Sequence, residues 1–218
     1  MEDWKYRKRR AALVEQIQSK GITDERVLAA VGSVPRHLFV DDALASRAYL
    51  DEALPIGLQQ TISQPFTVAY QTEKLELERG DTVLEIGTGS GYQAAVLCEL
   101  GVKVYSIERL KPLYDRTKDL LRKLGYRITM KYGDGTEGWS TFAPYDGIVV
   151  TAGATDLPLQ LLDQLRPPEG DRRGGRLLIP IGTRDSQVMT RFERMPDGSF
   201  DRIDLEDFRF VPLLPGDG

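Results

Sequence analysis

The stretch VLEIGTGSGYQAAVL, residues 83–97, decides the fold. Its first part continues a short apolar run, residues 82–86, of the kind a parallel strand buried on both faces requires. Gly87, Gly89 and Gly91 follow at alternate positions, and a helical pattern begins directly after them. Glycine at that spacing lets the chain turn sharply out of a strand and lets a ligand approach without meeting a Cβ. The turn delivers the chain to a helix N-terminus, whose unpaired N–H groups favour negative charge. Strand, glycine turn and helix together predict a nucleotide-type cofactor site. The alternative at this point is a tight strand–helix turn that binds nothing.

The loop departs from the dinucleotide fingerprint G-x-G-x-x-G, since Tyr92 stands where the third glycine belongs. It reads instead E-x-G-x-G-x-G from Glu85, which resembles the first motif of the class I methyltransferases that bind S-adenosylmethionine. A carboxylate here suits that cofactor, whose methionine end carries an ammonium and which has no pyrophosphate to repel. A second apolar run, residues 102–107, ends in Glu108. An acidic residue at the tip of the second strand of a βαβ unit can accept from both ribose hydroxyls. NAD and S-adenosylmethionine both satisfy that role, and capping of the next helix or pairing with Arg109 is the structural alternative.

The length of 218 residues suits one α/β domain with a well-buried core. A net charge of −4 argues against general nucleic-acid binding, which asks for a basic face. The single cysteine, Cys98, excludes internal disulfides and cysteine-rich metal sites, and lies on the apolar side of its helix. No signal peptide or membrane-length apolar run is visible, so the cytoplasm is the expected compartment. The basic start, residues 1–10, grades into Leu13, Val14 and Ile17 at helical spacing and reads as a solvated first turn. Gly21 ends that helix, and Thr23 or Asp24 caps a second one carrying Val27, Leu28 and Val31. His37, the only histidine, has no triad or metal partner nearby and reads as a structural hydrogen-bonder.

Ser63, followed by Gln64 and Pro65, has the form of a helix N-cap with proline in the first turn. Thr61, Ser63 and Gln64 also crowd three hydrogen-bonding side chains at one helix terminus, a natural carboxylate receptor. Cap and substrate contact are both open readings.

TISQP at 61–65, EIGTGSGY at 85–92, GDG at 133–135, PYD at 144–146, GGRLLIPIG at 174–182 and FVPL at 210–213 occur in this order. Together they resemble the protein-L-isoaspartate (D-aspartate) O-methyltransferase family over nearly the whole chain. One departure is RPPEGDRR at 166–173, where the family has a brief proline–glycine turn; it is expected to lengthen a surface loop only. The resemblance implies a Rossmann-like α/β fold: a doubly wound, mostly parallel sheet with N-terminal helices and an antiparallel C-terminal hairpin. It divides the chain into an N-terminal helical cap (1–60), a cofactor-binding core (61–182) and a hairpin and tail (183–218). Residues 113–124 form a helical stripe ended by Gly125, residues 128–132 and 145–151 are strands, 157–165 is helical, and 176–181 a fifth strand. Residues 187–194 and 200–211 alternate around a Pro-Asp-Gly-Ser turn.

The resemblance also implies the chemistry: methyl transfer from S-adenosylmethionine to the α-carboxylate of L-isoaspartyl residues, and of D-aspartyl residues where the family name extends to them. A succinimide then forms without the enzyme. A carboxylate is already ionised at neutral pH and needs no general base, which agrees with the lack of a His or Cys catalyst. Ser63 is marked as the active-site residue. Glu85, Gly87, Thr88, Gly89, Ser90, Gly91, Glu108, Asp134 and Gly135 are marked for the cofactor, the last two for its adenine. Thr61, Ile62, Gln64, Pro65, Val211 and Pro212 are marked for substrate, with residues 210–213 offering an edge to an extended peptide. No metal is implied, and the expected partners are isoaspartyl peptides and proteins, met by a monomer with no nucleic acid or membrane. Two rivals remain: a methyltransferase of a small-molecule carboxylate or hydroxyl, and a non-catalytic cofactor-binding module. A nucleic-acid methyltransferase is disfavoured because TAGA, not an Asn/Asp-Pro-Pro-Tyr motif, follows the fourth strand.

Overall fold

The computed structural model describes residues 4–217, so the first three residues of the basic N-terminal stretch lie outside the described residues. Helix α1 (Trp4–Ser19) buries Leu13 and Ile17 and leaves its basic first turns in solvent. Helix α2 (Glu25–Ser33) is capped by Asp24, whose carboxylate accepts from the Arg26 N–H at 2.8 Å. Two 3₁₀ turns, Arg36–Phe39 and Asp42–Arg47, fill what the sequence leaves irregular. A small hairpin follows, β1 (Leu54–Gly57) and β2 (Gln60–Ile62), turning through Leu58 and Gln59 at φ 54° and 57°. Two left-handed residues in a row are the signature of a type I′ turn, normally announced by Asn-Gly. Leu-Gln announces nothing, and the hairpin is invisible in the sequence.

From there the chain alternates. Helix α3 (Pro65–Leu75) leads to β3 (Thr82–Ile86), α4 (Tyr92–Glu99), β4 (Lys103–Glu108), α5 (Lys111–Lys123) and β5 (Ile128–Tyr132). After a 3₁₀ turn come β6 (Gly147–Val150), α6 (Leu159–Asp163), β7 (Arg176–Gly182), β8 (Gln187–Arg194) and β9 (Phe200–Phe208). The sheet order is β5-β4-β3-β6-β7-β8-β9, parallel through β7 and antiparallel beyond it. The antiparallel end agrees with the sequence pattern, while β6 is shorter than the expected 145–151 and β9 stops at Phe208 short of the expected 211. The sheet reverses its winding between β3 and β6, and the crevice beyond the carboxyl ends of strands at such a point is where open α/β sheets bind ligands.

Alternation along the strands feeds two cores. Val83, Val104, Val149 and Leu178 face the thick layer of α1 to α5. Leu84, Ile86, Ile107, Ile148 and Val150 face a thin one, made of α6 and an aromatic cluster in which Tyr105 stacks on Phe142 at 4.3 Å. The second layer is thin because the helix it carries is short: α6 keeps five residues of the expected helix over 157–165. Each fully buried aliphatic side chain in these layers contributes about 1.5–3 kcal/mol.

The insertion at 166–173 folds back as a tight loop, with Glu169 and Arg172 exchanging backbone hydrogen bonds. Arg172 bridges Asp81 (2.7 Å) and Asp146 (2.9 Å), Arg166 also pairs with Asp146, and Arg173 reaches Glu76. Asp81 and Asp146 immediately precede β3 and β6, so the loop clasps the end of the sheet opposite the glycine turn.

Candidate active site

The glycine turn leaves β3 with the Gly87 and Thr88 N–H groups donating to the Ile107 carbonyl on β4. Two of its glycines serve different needs. At Gly91 (φ 87°), the left-handed N-cap of α4, a Cβ would meet Thr117 at 2.8 Å and Leu121 at 3.0 Å, so this glycine lets α5 pack. At Gly89 (φ 54°) a Cβ would find nothing nearer than 3.8 Å, and this is the position open to a ligand. Thr151, at the end of β6, closes the turn from the far side by donating its hydroxyl to the Gly87 carbonyl (2.6 Å).

Glu108 is 4% exposed and uses both carboxylate oxygens on backbone. Oε2 accepts from Gly89 N–H at 2.8 Å and Oε1 from Leu110 N–H at 3.0 Å. It therefore pins the glycine turn and starts α5 together. Arg109 is not its partner but donates to the Gly216 carbonyl at 3.3 Å. Each carboxylate oxygen keeps a further acceptor site after one hydrogen bond, so ribose hydroxyls can still be received.

Glu85 is fully buried beneath α4. Ser106 donates to its Oε2, the Thr88 hydroxyl lies 2.6 Å from that of Ser106, and the Ala94 N–H faces the carboxyl from α4. Desolvation, more than the nearby Glu108 charge, pushes this carboxyl up from its ordinary 4.5 to about 8. Between those values the folded chain holds a proton that the unfolded chain has released. The stability Glu85 contributes is therefore complete below about 4.5 and is lost as pH rises through about 8. Glu85→Gln is expected to raise the melting temperature over wild type at pH 8.5 and to leave the two nearly equal at pH 4.5, as differential scanning calorimetry would read.

These groups line a cavity of about 490 Å³. Thr61, Ile62, Ser63, Glu85, Gly87, Thr88, Gly89, Ser90, Glu108, Gly135, Val211 and Pro212 all border it, as the sequence expects. An outer groove of about 880 Å³ shares Thr61, Ser63, Thr151, Phe210 and Val211 with it and adds Gln64, Phe66 and Arg209. Ser63 thus stands where the two spaces join.

Four expectations are corrected. The N-cap of α3 is Gln64, not Ser63, and its side chain makes no cap. The terminus is capped from afar by Asp51, whose carboxylate accepts from Phe66 N–H (2.8 Å) and Gln64 Nε2 (3.0 Å) and pairs with Lys20. That carboxylate occupies the place of a bound acid, so this helix end is no open carboxylate receptor. Gln64 consequently faces the outer groove only, and Pro65 is buried in the helix and borders neither space. Asp134 does not line the inner cavity: its Oδ1 accepts from Thr136 and its Oδ2 from Gly216 N–H at 2.6 Å. These hydrogen bonds hold its carboxyl below the usual range, against the opposing effect of burial. The 210–213 edge is already paired, Gly153 N–H donating to the Val211 carbonyl and Leu213 N–H to the Gly153 carbonyl.

Residues the sequence did not disclose complete the site. Arg36 is fully buried and donates to the carbonyls of Ala48 (2.7 Å), Glu52 (3.0 Å) and Ser63 (3.0 Å), fixing the backbone beneath the serine. Thr151, Gln93 and Arg184 border the inner cavity. No local pattern marks them, because each arrives from a different element. His37, by contrast, stays structural: it stacks on Tyr6 at 3.9 Å and meets the Tyr49 hydroxyl at 2.7 Å. Cys98 packs against the core, and burial pushes its thiol up to about 12.

A parallel sheet with this winding, an open glycine at its switch point, an acidic residue at the tip of the second strand and a buried carboxyl beside them define a class I S-adenosylmethionine-dependent methyltransferase. Its residues fit that cofactor, since Gly89 leaves room and Glu108 keeps acceptor sites beyond its two backbone hydrogen bonds. The family model for protein-L-isoaspartate(D-aspartate) O-methyltransferase matches residues 8–217. The protein-L-isoaspartate O-methyltransferase of Salinibacter ruber is 59% identical over 220 residues, covering 99% of this chain and 96% of the relative. That of Pseudomonas aeruginosa is 51% identical over 210 residues, covering 95% and 96%. A solved protein-L-isoaspartate O-methyltransferase superposes with a TM-score of 0.82 at 28% identity, over 93% of this chain and 65% of that longer one. A Plasmodium falciparum protein described as a beta-aspartate methyltransferase, solved with S-adenosyl-L-homocysteine, shares the fold at TM-score 0.79 and 23% identity, over 94% and 98%. The chain belongs to the protein-L-isoaspartate(D-aspartate) O-methyltransferase family. Its reaction is methylation of isoaspartyl residues from S-adenosylmethionine.

Proposed function

We propose that the inner cavity takes the methyl donor, the outer groove takes an extended isoaspartyl peptide, and Ser63 holds the reacting α-carboxylate where the two spaces meet. The observation that carries this is the strip shared by both spaces, Thr61, Ser63, Thr151, Phe210 and Val211. S-adenosylmethionine supplies, when bound, a sulfonium methyl group open to attack by a carboxylate oxygen. Gly89 gives it room, Glu108 receives its ribose, Thr88 and Ser90 flank the turn, and Gly135 borders its adenine. Asp134 reaches the adenine only if the tail residue Gly216 gives up or shares Oδ2.

Ser63 sits on a backbone held by buried Arg36 at its own carbonyl. Its hydroxyl donates to one carboxylate oxygen and leaves the other free to react. An anionic acceptor needs no base, so the contribution of the chain is alignment and exclusion of water. The hairpin tip at Gln59 and Gln60 and the tail at 210–214 supply that cover. The methyl ester then leaves, and succinimide closure proceeds off the enzyme.

With this reading go one methyltransferase domain in three parts (1–60, 61–182, 183–218), a monomer and a cytoplasmic setting. The one-domain reading is supported by one seven-stranded sheet that spans residues 82–208. Among the described residues no helix is long and apolar enough to cross a membrane. Ser63→Ala is expected to lower kcat on an isoaspartyl peptide by about 10- to 100-fold, as loss of one charge-assisted hydrogen bond would, and to move the melting temperature by no more than a degree or two. Base-labile methanol release from matched isoaspartyl and aspartyl peptides measures it. Normal turnover with a large drop in stability would leave Ser63 a structural residue.

A further inference from the structure

The strip that borders both the inner cavity and the outer groove carries three hydroxyls, those of Thr61, Ser63 and Thr151. The Thr151 hydroxyl differs from the other two in what surrounds it. It lies 2.6 Å from the Gly87 carbonyl oxygen and 3.0 Å from that of Ile86. A carbonyl oxygen can only accept, so the single hydroxyl proton is committed to the backbone of the glycine turn. Two lone pairs remain on the same oxygen, and no N–H or O–H among the described residues reaches them. Thr151 is thus an acceptor preset by the fold. The Ser63 hydroxyl, which no hydrogen bond among the described residues claims, stays free to donate.

The position of that oxygen is held from three sides. Thr151 N–H donates to the Ile86 carbonyl at 3.0 Å. Gln71, fully buried in α3, donates to the carbonyl of Val150 immediately before it, also at 3.0 Å. A Cβ at Gly87 would stand 2.6 Å from the Thr151 oxygen, so glycine at 87 is what lets the hydroxyl lie against the turn. An oxygen fixed in this way discriminates among guests. It gives nothing to a substrate carboxylate, because its proton is spent and its lone pairs repel an anion. It favours a group that is electron-poor and carries hydrogens. Where a donor space meets a peptide space, the reaction requires one such group: the methyl on sulfonium, whose positive sulfur polarises its C–H bonds towards weak hydrogen bonding.

We propose that Thr151 is a further catalytic residue, whose hydroxyl oxygen accepts C–H···O contacts from the sulfonium methyl group and holds it at the junction beside the carboxylate that Ser63 orients. This rests on the assignment of the inner cavity to the donor and of the outer groove to the peptide. In the transfer the S–C bond breaks as the O–C bond forms. The electron pair of the first stays on sulfur, the carboxylate supplies the pair of the second, and no proton moves. Thr151 is therefore a fixed dipole and not a base. Its work is alignment: a methyl group held at one oxygen meets a carboxylate held at another, and neither has to be ordered at the moment of reaction.

The test compares two ligands by isothermal titration calorimetry on the full chain. S-adenosylhomocysteine lacks the methyl group, and sinefungin carries an amine in its place, whose N–H reports on the same oxygen more strongly than a C–H does. Thr151→Val is expected to weaken sinefungin about tenfold more than it weakens S-adenosylhomocysteine, and Thr151→Ser to keep the wild-type ratio. Turnover on an isoaspartyl peptide should fall about fivefold in Thr151→Val. A loosened glycine turn would weaken both ligands alike, so an unchanged ratio would reduce Thr151 to a structural tie and overturn the proposal. A second readout uses wild type alone: the methyl protons of S-adenosylmethionine labelled with ¹³C at that carbon should move downfield on binding, as hydrogen-bonded protons do. No downfield movement would overturn the proposal as well. If wild type bound neither calorimetric ligand, the assignment of the cavity would fail and the role of Thr151 with it. If it bound both and only the ratio failed to respond, the cavity would stand and Thr151 alone would be withdrawn.

Discussion

Arg36→Met is expected to destabilise the folded chain by about 3–5 kcal/mol and to lower its melting temperature by roughly 10 °C or more. The guanidinium is fully buried and serves three backbone carbonyls in two separate pieces of irregular chain, Ala48 and Glu52 in one and Ser63 in the other. It also stacks over the Tyr92 ring at 5.4 Å. Burial pulls its pKa down, opposed by the carboxylates of Asp51 and Glu52. Methionine fills similar volume but leaves one buried and two partly buried acceptors without their donor, and the oily replacement of a charge offsets only part of that. The functional effect follows the geometry. Ser63 loses the anchor at its carbonyl, so turnover on an isoaspartyl peptide falls further than affinity for S-adenosylhomocysteine, which meets residues held by β3 and β4. Arg36→Lys, able to reach one carbonyl well, is expected to fall between. A melting shift of less than about 2 °C for Arg36→Met would mean the three carbonyls find water, and the anchoring role would be withdrawn.

The contrast between Arg36 and Glu108 explains what could be read from the chain alone. Strands β3, β4, β6 and β7 announce themselves because burial on both faces demands apolar runs, and each sits within two residues of where the pattern places it. Gly89 and Glu108 are legible because their spacing follows from the geometry of one βαβ unit. Arg36 has no such local signature. In sequence it is one charge beside the only histidine, and its purpose appears only once residues 48, 52 and 63 surround it. Asp51 is hidden for the same reason: a cap supplied from fourteen residues upstream of Pro65 looks like any loop aspartate, whereas Ser63 has the local form of a cap and does not act as one. The β1–β2 hairpin escaped notice because its left-handed turn uses Leu58 and Gln59, side chains that disfavour that conformation and give no warning of it. Gln93 and Thr151 meet at the site only through the register of α4 and β6 on the sheet. The parts of the site built within one unit are readable, and the parts built by convergence of several elements are not.

Glu108 carries the second large effect, because the ribose role proposed for it and the hold on the glycine turn converge on one carboxylate. Glu108→Ala is expected to weaken S-adenosylhomocysteine binding by about 2–4 kcal/mol, roughly thirty- to several-hundredfold. Part of that loss is direct, from the ribose hydroxyls, and part is preorganisation, since the Gly89 N–H loses the acceptor 2.8 Å away that fixes the glycine turn. The Leu110 N–H at the start of α5 is released as well, so the variant should also melt a few degrees lower than wild type. The two parts separate in a cycle of two protein forms against two ligands, 5′-methylthioadenosine and its 2′,3′-dideoxy counterpart. Wild type should prefer the hydroxylated ligand by tenfold or more, and Glu108→Ala should barely distinguish them. The dideoxy ligand should still bind the variant more weakly than wild type, and that remainder is the contribution of the loosened turn. If instead both proteins showed the same preference for the hydroxyls, Glu108 would be only the pin that holds Gly89, and some other group bordering the cavity would have to receive the ribose.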